Sequence, residues 1–136
     1  MNTEKIVEMI NNATECGSSS EPCVFLFDDD SKDIYEQTVE TLKEQDYKFI
    51  NINEFVQTPQ EKKLNDLIDD KTILIVTYND LYLQNKVLYE TVRSMLKDGY
   101  RANGKGIDIV LTALVYCETK ENLKDFCYYG LKVNNN

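Results

Sequence analysis

Short, continuous apolar runs alternate with amphipathic segments along this chain, and that alternation limits its folds more than any other feature. Cys23 to Phe27 is apolar at every position, and Thr72 to Thr77 is apolar between its two threonines. Neither run shows the in-and-out alternation of a half-exposed strand. Strands of this kind are buried on both faces, as they are in a parallel sheet. Between the runs, apolar residues recur at helical spacing: Ile34, Val39 and Leu42; then Leu64, Leu67 and Ile68; then Leu88, Val92, Met95 and Leu96. The pattern predicts an α/β fold, a three-layer sandwich in which a mainly parallel sheet of four to five strands carries helices on both faces.

The individual elements follow from local chemistry. Residues 4–14 predict a short amphipathic helix with Ile6, Met9, Ile10 and Ala13 on one face, broken by the segment Gly17 to Pro22. Cys23 to Phe27 is the first strand. After Asp28-Asp29-Asp30-Ser31 a helix begins, with Ser31 or Asp30 as its N-cap. Tyr47 to Ile52 is the second strand. Thr58-Pro59-Gln60-Glu61 supplies a capping threonine, a proline at the first helical position and a glutamate three residues after the cap.

Thr72 to Thr77 is the third strand, and the long helix after it stops at Asp98-Gly99. Asn103 to Gly106 is turn chemistry, Ile107 to Tyr116 a fourth strand, and Thr119 caps a last helix with Leu123, Phe126 and Cys127 inward. Gly130 closes that helix, and Leu131 to Val133 is a short fifth strand. There is neither an internal repeat nor a low-complexity linker. The expectation is one domain over 1–136, with 1–22 as N-terminal helix and linker and 134–136 as a frayed tail.

Composition removes whole classes of chemistry. The 136 residues include no histidine, which excludes Ser-His and Cys-His nucleophiles and imidazole metal sites. Acidic residues outnumber basic ones 24 to 15, for a net charge of −9, so nucleic acid is not an expected partner. The loop carrying Lys97, Arg101 and Lys105 reads as a solvated turn, since three charges make a weak phosphate patch. Cysteines at 16, 23, 117 and 127 form no Cys-x-x-Cys pair and are expected to be reduced, buried thiols. The first ten residues lack the apolar run of a signal peptide, and stretches such as Ile73 to Val76 and Ile109 to Val115 are too short to span a bilayer. A cytoplasmic protein with no membrane association is expected.

Ligands of open parallel sheets collect at the carboxyl ends of the strands. Those ends are read as Asp28 to Asp30, Asn53 and Glu54, Thr77 to Asp80, and Thr112 with Tyr116. Asp28, Asp29 and Asp80 are candidate ligands for Mg²⁺, which prefers oxygen donors. Thr77 and Thr112 are candidate phosphate or sensor contacts. The other reading of Asp28 to Asp30 is that they cap a helix, whose N-terminus favours negative charge. Most of the nine tyrosines lie in the second half, and the adjacent Tyr128 and Tyr129 are a candidate protein interface. The other reading of these rings is a core boundary with only the hydroxyls wet.

Three families share parts of this layout. From residue 4 to 133 the chain resembles the core of a P-loop NTPase of the AAA+ type: a helix precedes the first strand, Phe27 to Lys48 spans a Walker A loop and its helix, Thr72 to Asp80 takes the Walker B position, and Thr112 the place of a polar sensor. The Walker motifs themselves are missing. Where Gly-x-x-x-x-Gly-Lys-Ser/Thr would wrap the phosphates, this chain reads Asp28-Asp-Asp-Ser-Lys-Asp-Ile-Tyr35, and Thr77-Tyr78 replaces the acidic Walker B pair.

Val24 to Asp30 and Ile109 to Ala113, with Thr112 as the switch threonine, are similar to a response-regulator receiver. Thr77 stands at that family's phosphoacceptor position, however, with Asp80 three residues later. Asp28-x-Asp30 with Thr77 is similar to the first motifs of haloacid-dehalogenase phosphatases, without their later lysine and acidic motif. The P-loop resemblance implies a core that does not hold nucleotide in the usual way.

The function expected from this reading is a non-catalytic protein-binding or regulatory α/β domain with a degenerate nucleotide site. Its partner would be a protein or its own copy, and no cofactor is expected. The alternative is a Mg²⁺-dependent phosphate-binding or receiver-like signalling domain using Asp28 to Asp30, and a third option is an acidic mimic of nucleic acid.

Overall fold

Val24-Phe-Leu-Phe27 forms β1, the strand around which the sheet is built. In the computed structural model, residues 2–16, 24–51, 71–77, 112–117 and 130–134 are described, with the strand pieces 100–101 and 108–109 and the single positions 86 and 90. The elements in chain order are α1 (Thr3–Cys16), β1, a single 3-10 turn (Asp29–Ser31), α2 (Lys32–Glu44), β2 (Lys48–Asn51), β3 (Thr72–Thr77), β4 (Tyr100–Arg101), β5 (Asp108–Ile109), β6 (Thr112–Tyr116) and β7 (Leu131–Lys132).

Five of these strands make one sheet in the order β2-β3-β6-β1-β7, and every neighbouring pair is parallel. The α/β sandwich with a parallel sheet is therefore the observed architecture. Pairing continues past the strand ends, with Cys117 N–H donating to Phe27 O at 2.9 Å and Val133 N–H to Leu26 O at 2.8 Å. The register aligns Phe25 with Leu114 and Leu131, and Ile75 with Leu114. Phe25, Phe27, Ile73, Leu114 and Val133 thus share one face, where they pack with Ile6, Val7 and Ile10 of α1 and Leu42 of α2. The other face, with Val24, Leu26, Leu74, Val76, Ala113 and Val115, is equally buried. Burial on both faces is what the unbroken apolar runs require. Each such side chain contributes about 1.5–3 kcal/mol when fully buried.

Local chemistry sets the helix ends. Asn2 caps α1, its Oδ1 accepting from Lys5 N–H at 2.9 Å. At the end of α2, Asp46 N–H donates to Lys43 O and Tyr47 N–H to Leu42 O, with Asp46 left-handed at φ 64°. This is the Schellman arrangement, and its usual apolar contact is supplied by Leu42 and Tyr47, both in the core. Tyr47 ties three elements together. Its hydroxyl donates to Asn11 Oδ1 of α1 at 2.6 Å, and Lys71 Nζ sits 4.3 Å above its ring, just before β3. Thr38 Oγ1 donates to Ile34 O at 2.7 Å and lies 3.3 Å from Thr3 Oγ1, joining α2 to the start of α1.

One expected strand is two. The run from Ile107 to Tyr116 divides into β5, which pairs antiparallel with β4 in a separate ribbon, and β6, which belongs to the main sheet. Asp108 and Ile109 pair with Arg101 and Tyr100, whereas the parallel ladders with β3 and β1 begin at Thr112 and Ala113, so the apolar run serves two sheets. The helices expected after Thr58, Thr77 and Thr119 lie outside the described residues, although Lys86 and Glu90 are helical and exposed. Among the described residues, no helix is long and apolar enough to cross a membrane.

Candidate functional site

β1 delivers the chain to Asp28 at the carboxyl edge of the sheet, and the backbone there stays extended at φ −123°, ψ −169°. From that position the Asp28 carboxylate turns back onto the start of the next helical segment. Its Oδ1 accepts from Asp30 N–H at 2.9 Å and from Ser31 N–H at 3.3 Å. In return Asp28 N–H donates to Ser31 Oγ at 3.1 Å. The two residues form a reciprocal capping box in which serine plays the part usually taken by glutamate or glutamine. Asp28 is only 3% exposed, so these amides are what make a buried carboxylate tolerable. The capping reading of this cluster describes the geometry of Asp28.

Asp29 and Asp30 face solvent. The Tyr116 hydroxyl, at the end of the adjacent strand β6, donates to Asp29 Oδ1. Tyr116 also stacks on Tyr35, with centroids 5.5 Å apart at 28°, and Tyr35 presents an edge to Phe27 at 5.2 Å and 61°. The carboxyl edge of β1 and β6 is therefore roofed by two phenol rings and one carboxylate. Burial pushes the Tyr35 hydroxyl above its ordinary value of 10.0, and the neighbouring Glu36 charge adds to the rise.

The other sequence-predicted residues distribute unevenly. Thr77 ends β3, half-buried, in register with Tyr116 and on the same face. Thr112 does not end a strand. It begins β6 as the register partner of Ile73, so it sits at the amino edge, four residues before Tyr116. At about 3.3 Å per residue that is more than 10 Å from the Asp28 turn. Thr112 therefore lies at the amino edge of β6 and not at the carboxyl edge expected from the sequence, because the parallel ladder with β3 begins at this residue. Asp80, Tyr128 and Tyr129 lie outside the described residues, as do Asn53, Glu54, Tyr78 and Asn79.

Among the described residues, no group of three or more acidic or cysteine side chains is arranged to hold a metal ion. Cys117, one residue after β6, is a buried thiol. Away from the carboxyl edge, an open groove of about 520 Å³ between α1 and α2 is lined by Thr3, Glu4, Glu36, Gln37, Glu40 and Thr41. The roofing pair Tyr35 and Tyr116 was not expected from the sequence. Its signal was the position of Tyr116 at a strand end, which acquires meaning only once β6 is known to lie beside β1. No protein-family model matches the chain, and no curated protein matches it by sequence.

Proposed function

We propose that the chain is a non-catalytic protein-binding or regulatory α/β domain built on a P-loop-like core whose nucleotide site is degenerate. One observation carries the reading: the Asp28 carboxylate occupies the amides of Asp30 and Ser31 at the first turn after β1. A phosphate bound at a helix start needs such amides bare. Here a side chain of the same sign already fills them, and Asp29 adds a second negative charge beside it. Two like charges about 4 Å apart near a surface repel by about 4 kcal/mol.

The strand order bears on the rival receiver reading. In chain order the five strands run 5-1-4-3-2 across the sheet. Receivers, with the flavodoxin-like order 2-1-3-4-5, differ from it. Tyr116 ends the fourth of these strands, and its hydroxyl donates to Asp29.

The partner in this reading is a protein or a second copy of the chain, in the cytoplasm. Two experiments test it. Calorimetry and thermal-shift measurements with ATP or ADP, with and without Mg²⁺, are expected to show no binding. Size-exclusion and crosslinking pull-downs are expected to show a complex or self-association, and a strict monomer without partner contradicts the proposal.

A second reading rests on Asp28 and Asp29 following one another at the carboxyl edge, where β3 also ends at Thr77: a Mg²⁺-dependent phosphate-binding domain that recruits Asp80 as a further ligand. Calorimetric heat with Mg²⁺ and acetyl phosphate, abolished by Asp29→Ala and Asp80→Ala, is its expected signature. Absence of heat ends it.

A further inference from the structure

We propose that the contact between Tyr116 and Asp29 is an autoinhibitory latch that closes the crevice at the carboxyl edge between β1 and β6. The crevice is set by topology. The strand that follows β1 is β2, on the far side of β6 and β3, whereas the strand that follows β6 is β7, on the far side of β1. The chain therefore leaves these two adjacent strands in opposite directions. Such a switch point is where open α/β sheets take their ligands.

Among the described residues, Asp28 and Asp29 beside the crevice are each engaged by donors of the chain itself. Asp28 is held by the amides of Asp30 and Ser31, and Asp29 by the Tyr116 phenol. The ring that carries that phenol is seated on Tyr35, which is seated on Phe27, so it is supported from α2 and β1 together. The two commitments differ in accessibility. Asp28 is buried, while Asp29 is exposed and Tyr116 half-buried. The Tyr116 to Asp29 bond is thus the more accessible of the two to water or a ligand. While it is closed, it joins the end of β6 to the turn after β1 and keeps that turn in its capped form. A ligand approaching from this edge has to displace it. The latch rests on this geometry and stands whether the domain serves a protein or a phosphate ligand.

The test uses the full chain with Tyr116→Phe, which removes only the hydroxyl and keeps the stack, together with Asp29→Ala and the double variant. Residue-resolved amide exchange is read at Asp30 and Ser31 and, as a reference, at Ile73 and Leu114 in the sheet. Each single variant is expected to speed exchange at Asp30 and Ser31 by about tenfold, with the core amides unchanged. The double variant is expected to add little, because both substitutions break one bond. Unchanged exchange at Asp30 and Ser31 overturns the latch. So does an equal acceleration at the core amides, which indicates a merely structural bond.

Discussion

Gly130 approaches Val24 so closely that a Cβ built on the glycine would lie 2.5 Å from the Val24 carbonyl oxygen and 2.9 Å from its Cγ1. The first neighbour is backbone of the interior strand β1 and has nowhere to go. Gly130→Ala is therefore expected to push β7 away from β1 and to destabilise the fold by about 1–3 kcal/mol, the usual cost of overpacking. Urea unfolding of the variant measures it. A cost indistinguishable from zero would show that β7 accommodates the methyl by moving freely.

The end of α2 offers a change in the opposite direction. Asp46 holds φ 64°, a conformation that glycine adopts without the Cβ penalty. Asp46→Gly keeps the Schellman bonds and relieves that penalty, so a gain of about 0.5–1 kcal/mol is expected. Asp46→Ala is expected to give no gain. Chemical denaturation of the pair separates the backbone effect from loss of the carboxylate.

Asp28 should behave as a cap in any assay of stability. Asp28→Ala removes the acceptor for two amides and is expected to cost about 0.5–2 kcal/mol. Asp28→Asn retains an acceptor oxygen and is expected to lose less. If both variants are as stable as the wild type, the capping box contributes nothing measurable.

Alkaline pH should weaken the protein through Tyr35. Its hydroxyl is held above 10.0 by burial, with Glu36 adding to the shift. As pH rises past that ordinary value, the unfolded chain gives up the phenolic proton before the folded one does. The unfolded state then binds fewer protons, so stability falls with rising pH until the folded group also ionises. Below pH 10 Tyr35 contributes no such slope. Unfolding at pH 9, 10 and 11 is expected to show a fall in the wild type that is shallower in Tyr35→Phe; equal slopes would place the effect elsewhere.

Much of the fold was legible in the sequence, because burial on both faces leaves an unmistakable trace. Val24 to Phe27 and Thr72 to Thr77 are strands for the reason their composition suggests. The α2 termination was less visible, since aspartate at 46 carries no glycine signal and acts only by tolerating the left-handed turn. Residues 107–116 misled because an apolar run says nothing about which sheet it joins; the antiparallel pairing of β5 with β4 divides it. The same division moved Thr112 to the amino edge. The capping carboxylate was placed only approximately: Ser31 or Asp30 was the expected N-cap, but Ser31 stands at the N-cap of α2 without a side-chain cap bond, and the cap is Asp28, because a 3-10 turn intervenes between β1 and α2. The Tyr35 and Tyr116 roof was not, because it depends on strand order, and strand order is a long-range property that no local pattern encodes.

That order also has a kinetic consequence. β1 precedes the other strands of the sheet in the chain and is buried throughout, yet its two neighbours are residues 112–116 and 131–132. Until those residues emerge, Val-Phe-Leu-Phe has both backbone edges open and its side chains unsheltered by their final strands. Long-range pairing of this kind slows folding, and an apolar strand with open edges is a template for association. The chain is thus most exposed to misassembly while it is being made, and β1 is the segment a chaperone would have most reason to hold.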